Sequence, residues 1–183
     1  MAVDTKIHNF EDSLKNGEEG EEIIIKFLKQ MPGIRKVVNM AGNHLFYKKD
    51  VDFVIELDSG EKRMLELKTD SYTSGNIYYE TVSNEKYNVG GCMEKTACHW
   101  LLYYFINFDK CYFLRFDKYR ELMEKLIKEN HPALKEHKVT NWAKDGINTY
   151  DSVGYTLPLC VLEELMNRND MRIEKDIKKR LDI

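Results

Sequence analysis

The chain has 183 residues, 43% of them hydrophobic and 32% charged, which is the composition of a globular protein able to bury a sizeable core. Its net charge of −3 excludes a global basic field, so any contact with a polyanion must come from a local patch. No apolar run approaches membrane-spanning length, the N-terminus lacks a signal peptide's apolar core, and the four cysteines (Cys92, Cys98, Cys111, Cys160) form no C-x-x-C pair. The expectation is a single domain over residues 1–183, cytoplasmic and with reduced thiols.

Residues 1–16 read as a helical or loosely ordered lead-in. Residues 17–28 then carry a helical apolar stripe at 24, 25, 27, 28 and 31, stopped by Pro32-Gly33. Glu21 falls three and four residues before Ile24 and Ile25, so it extends the buried stripe, whereas Glu22 is rotated away from it. Acidic residues at a helix start are favoured by the helix dipole, and that accounts for Glu18, Glu19 and Glu22. For Glu21 a role beside other carboxylates is equally open. A short strand is predicted over 35–40, followed by a loop over 41–49 that carries His44, Lys48 and Lys49; of these, His44 reads as a loop residue.

Two strands joined by a tight turn follow, over 51–57 and 63–68. Asp58-Ser59-Gly60 between them predicts a three-residue loop with Gly60 in the left-handed position. That loop places Asp52, Val54, Met64, Glu66 and Lys68 on one face, and Val51, Phe53, Ile55, Leu65 and Leu67 on the other. Asp52 then sits opposite or diagonal to Glu66. Like charges about 5 Å apart across a hairpin are destabilising, and more so when buried, unless a cation joins them. A divalent metal would explain the pair, with Lys68 placed to orient a water or neutralise an oxyanion. A solvated strand face with surface ion pairs is the alternative.

After a polar loop, residues 77–82 read as a strand whose one internal charge is Glu80, either a third site carboxylate or an outward-facing residue. Residues 93–107 look apolar all round, which predicts a helix lying across a sheet. Lys95 at its start is either a phosphate contact, because helix N-termini favour anions, or an ordinary first-turn residue. The spacing of Cys92, Cys98 and His99 matches no zinc framework. A strand over 111–116, an amphipathic helix over 118–130, an irregular stretch over 131–156 anchored by Trp142 and several tyrosines, and one long helix or two shorter ones over 159–181 complete the chain. Pro158 fits a helix start there. The fold class expected is α/β, a central mixed sheet flanked by helices.

Gly17-x-x-Gly20-Glu21 on a helix, Asp52 in a strand and Glu66-Leu67-Lys68 in the next resemble the PD-(D/E)xK nuclease superfamily, which includes small phage and mobile-element nucleases and archaeal Holliday junction resolvases. Val51 stands where the motif's proline is usual. The resemblance implies a restriction-endonuclease-like fold and Mg²⁺-dependent hydrolysis of DNA phosphodiester bonds, with Mn²⁺ able to substitute. It implies Asp52, Glu66 and the Leu67 carbonyl as metal ligands, Lys68 assisting the attacking water, and Glu21 holding a second metal or its water. Lys48, Lys49 and Lys95 would contact DNA. A resolvase acting on branched DNA as a homodimer is the alternative within this class. A non-catalytic nucleic-acid-binding protein of the same fold is the alternative outside it.

Overall fold

The computed structural model describes residues 10–40, 43, 49–142 and 148–183. His44 and Lys48 lie outside the described residues, as does most of the loop expected over 41–49. In chain order the elements are α1 (Phe10–Gln30), β1 (Ile34–Asn39), β2 (Phe53–Leu57), β3 (Lys62–Asp70), β4 (Asn76–Asn84), β5 (Val89–Gly90), α2 (Cys92–Lys95), β6 (Trp100–Phe105), β7 (Lys110–Arg115), α3 (Phe116–Lys128), β8 (Lys135–Trp142), β9 (Thr149–Pro158), α4 (Leu159–Leu165), β10 (Met171–Lys175) and α5 (Ile177–Arg180).

A mixed six-stranded sheet of order β1-β2-β3-β6-β7-β10 forms the centre, and β5-β4-β9-β8 form a second, antiparallel sheet. In the central sheet only β3 and β6 run parallel. Its two faces carry separate cores. On one, Ile23, Ile24, Phe27 and Leu28 of α1 pack against Phe53, Ile55, Leu65, Leu67, Leu102 and Tyr104. On the other, Leu101, Tyr103 and Phe105 meet Ile77 and Tyr79 of the second sheet, Leu157, and the apolar side of α3. The fold is α/β with a mixed central sheet, but a second sheet as well as helices covers it.

The hairpin has the expected register. Gly60 has φ +83°, and Phe53, Val54, Ile55 and Glu56 pair with Leu65, Met64, Arg63 and Lys62. Gly20 brings α1 close to β3. A Cβ there would lie 2.0 Å from Thr69 Oγ1 and 2.9 Å from Thr69 Cβ, whereas one on Gly17 would meet open space.

Three expectations need correction. Residues 93–107 are not a helix: after the four-residue α2, Trp-Leu-Leu-Tyr-Tyr-Phe forms β6. Flanked by β3 and β7 and covered on both faces, β6 is apolar throughout and shows no two-residue alternation. Residues 131–156 are largely ordered as β8 and β9, which pair with each other over eight positions. Of the one long helix or two shorter ones expected over 159–181, two short helices form, α4 and α5, but the segment between them is a strand, β10, that adds to β7 at the sheet edge. No helix among the described residues is long and apolar enough to cross a membrane.

Candidate active site

Asp52 lies one residue ahead of β2, next to the Phe53–Leu65 pair, and its charge is felt by Glu66. Its backbone N–H donates to Leu65 O at 3.0 Å, and its Oδ2 accepts the Leu67 N–H at 2.8 Å. A strand residue directs its N–H and C=O to the same side. The Leu67 carbonyl therefore faces the space beside Asp52 where β2 has ended.

Glu66 is 3% exposed. Its Oε1 pairs with Lys68 Nζ at 2.8 Å, and its Oε2 is buried without a hydrogen-bond partner. Burial pushes the Glu66 carboxyl up to about 8; the Lys68 ammonium pulls it down, while Asp52 and Asp50 push it further up. The Lys68 side chain is 36% exposed. Burial works against its charge, but the neighbouring Glu66 and Asp52 carboxylates hold the ammonium protonated.

Helix α1 contributes Glu21, half-buried where Glu22 is exposed. Burial first, and then the Asp52 charge, raise the Glu21 carboxyl, while a hydrogen bond with Asn39 lowers it. The helix periodicity thus brings Glu21 to the Asp52 side of the site. Glu80 on β4 turns to the α2 start, where its Oε1 accepts the Cys92 N–H at 3.1 Å. Burial pushes the Cys92 thiol up to about 12, against the pull of the neighbouring Lys68 ammonium. Lys49 and Lys95 are exposed. Lys95 falls in the last turn of α2 rather than at the start of a long helix, so the helix-terminus argument for it does not apply. Its charge nevertheless acts on Asp50, as does that of Lys68.

Asp50 is the acidic residue that sequence reasoning missed. Burial raises its carboxyl, and its charge is felt by Glu66. Its position two residues ahead of Asp52 was the available signal, but strand alternation does not hold there, because Asp50 adopts φ +44°. A cleft of about 510 Å³ lies elsewhere, lined by Arg63, Cys98, His99, Trp100, Arg115 and Asp117. Its guanidinium groups are already paired, Arg63 with Glu61 and Arg115 with Asp117 and Asp170.

Among the described residues no group of three or more His, Cys, Asp or Glu side chains is arranged to hold a metal ion. What the geometry offers instead is two carboxylates, Asp52 and Glu66, with the Leu67 carbonyl beside them. A hard cation that keeps most of its own waters needs few protein ligands, all of them oxygen. The buried, unpartnered Glu66 Oε2 is the atom such a cation would satisfy. Compared with known proteins, the chain matches no protein family, no curated protein and no solved structure.

Proposed function

We propose that this protein is a metal-dependent DNA endonuclease of the PD-(D/E)xK type, hydrolysing phosphodiester bonds at the Asp52–Glu66–Lys68 site. The observation that carries this is Glu66. A carboxylate buried to 3% exposure, with one oxygen orphaned and the charge of a second carboxylate acting on it, is costly unless function retains it. The order of α1, the β2–β3 hairpin and the parallel neighbour β6 supports a restriction-endonuclease-like reading of the fold.

Asp52, Glu66 and the Leu67 carbonyl would hold Mg²⁺ or Mn²⁺, with Glu21 assisting from α1. The bound ion supplies charge neutralisation at the phosphate and acidifies a water. The chain's own groups do the positioning. Lys68 Nζ, steered by Glu66 Oε1, donates a hydrogen bond to the attacking water or to the non-bridging phosphate oxygen as negative charge builds there. Leu67 N–H locks the Asp52 carboxylate in one orientation. Glu21, raised by burial and by Asp52, is suited to hold a proton of that water. Lys49 and Lys95 at the rim offer the local positive patch that the net charge of −3 does not.

Incubation with supercoiled plasmid, linear duplex, single strands and a four-way junction, each with Mg²⁺, Mn²⁺ or EDTA, tests the proposal. Metal-dependent cleavage that Glu66→Gln and Asp52→Asn abolish is expected. Cleavage of none of these substrates by a protein that binds Mn²⁺ would favour a non-catalytic role, and preference for the junction would identify a resolvase.

A further inference from the structure

Asp52 stands just ahead of β2, its N–H bonded to the Leu65 carbonyl and its carbonyl to the Met40 N–H, and residues 49–51 carry the chain into that position. Asp50 has φ +44°, in the left-handed region that Asp tolerates better than most side chains but that tertiary contacts can fix.

The holding contacts come from a segment 46 residues away. Thr96 Oγ1 donates to the Asp50 carbonyl at 2.7 Å and accepts the Cys98 N–H at 3.2 Å. Next to it, the Ala97 N–H donates to the Lys49 carbonyl at 3.0 Å. Thr96 is only 5% exposed, so its hydroxyl is tolerable only because both bonds are made. The segment is itself clamped from α3. Arg120 Nη2 donates to the Met93 carbonyl at 2.9 Å and to the Thr96 carbonyl at 3.4 Å, and its guanidinium lies 4.5 Å from the centre of the Phe116 ring.

We infer that Thr96 is a positioning residue for Asp52, acting through the backbone of Asp50 and anchored in turn by Arg120. Two peptide units separate Asp50 from Asp52, each spanning about 3.8 Å between Cα atoms. A rotation at Asp50 is passed to the Asp52 carboxylate against its backbone bonds to Leu65 and Met40, and in a reaction needing fixed geometry a displacement of the order of 1 Å can cost a hundredfold. The immediate effect falls on the bond from the Leu67 N–H to Asp52 Oδ2. Only the metal arm of the test below rests on the function proposed above.

The experiment compares Thr96→Val, which keeps the shape and loses the hydroxyl, with Thr96→Ser, which keeps the hydroxyl. Metal-free hydrogen exchange is followed by NMR at the Leu67 amide, with the Leu102 and Phe113 amides of the central strands as references. Thr96→Val should speed Leu67 exchange at least tenfold while the references hold, and Thr96→Ser should restore it. Unchanged Leu67 exchange, or uniform acceleration across the sheet, would overturn the inference. Calorimetric titration with MnCl₂ should then show Kd raised at least tenfold in Thr96→Val and near wild type in Thr96→Ser; equal Kd in all three proteins would also overturn it. If wild type takes up no Mn²⁺ while Leu67 responds as expected, the metal-site proposal fails and the positioning role stands. Should Thr96→Val not fold, Arg120→Gln acts one contact further back and must shift Leu67 exchange in the same direction.

Discussion

Replacing Asp52 by Asn separates a metal site from a solvated strand face without any activity measurement. The amide oxygen of the Asp52→Asn side chain can still accept the Leu67 N–H that Asp52 Oδ2 accepts at 2.8 Å, so the local fold has no reason to change. What disappears is one charge near buried Glu66 and Glu21, both of which the Asp52 charge pushes upward. A cation that binds only the folded protein stabilises it by about 2.7 kcal/mol at a hundredfold excess over Kd. For 183 residues, an unfolding entropy of about 2.1 cal/mol/K each converts this to a rise in Tm of about 7 °C. Thermal melts at pH 8.5, above the Glu66 value of about 8, should show that rise for wild type with Mn²⁺. Asp52→Asn should melt no lower than wild type in EDTA and gain less than about 2 °C from Mn²⁺. A wild-type Tm indifferent to saturating Mn²⁺ and Mg²⁺ would refute the reasoning, and so would equal shifts in the two proteins.

Other outcomes are equally specific. Lys68→Ala should lower the cleavage rate by at least a hundredfold yet keep most of the Mn²⁺-induced Tm rise at pH 9, because the ammonium orients and does not ligate; near wild-type cleavage would remove Lys68 from the mechanism. Glu21→Gln should slow cleavage at least tenfold and Glu22→Gln should not, since only Glu21 turns toward Asp52; equal effects in a plasmid-nicking assay would contradict that facing. Gly20→Ala should destabilise by about 1–3 kcal/mol in urea unfolding, because its new methyl meets Thr69, while Gly17→Ala should be neutral or stabilising. Asp70 lies near 6 in the folded protein because of burial, above its ordinary 3.8, although Tyr103 bonds it. The folded state therefore holds that proton more tightly than the unfolded chain, and the resulting stability is fully present below about pH 4 and lost as pH rises through 6. The stability of Asp70→Asn relative to wild type should accordingly climb by about 2–3 kcal/mol between pH 4 and 7.5; a flat difference in urea melts would show the Asp70 carboxyl is not shifted.

Much of the candidate site was legible in the chain itself, because it rests on local rules. Asp58-Ser59-Gly60 dictates a three-residue turn, the turn dictates the register that pairs Phe53 with Leu65, and this brings Asp52 near Glu66 and Lys68. Helical periodicity alone separated Glu21 from Glu22. What tertiary structure alone decided is everything that depends on being covered. β6 reads as a helix because β3 and β7 flank it and both its faces are buried, so the alternation that marks a strand is erased. β10 took a sheet-edge place beside β7, and its local signal, the turn residues Asn167 to Asp170 before the short Met171-Arg172-Ile173-Glu174-Lys175 alternation, is only five residues long. The Glu66 carboxyl is perturbed by burial, a property of the packed interior and not of Glu-Leu-Lys as a tripeptide. Asp50 and Thr96 meet across 46 residues, and nothing near either in the chain specifies the other. Turn and helix geometry follow from steric limits within a few residues, whereas burial and long-range hydrogen bonds exist only once distant segments have packed.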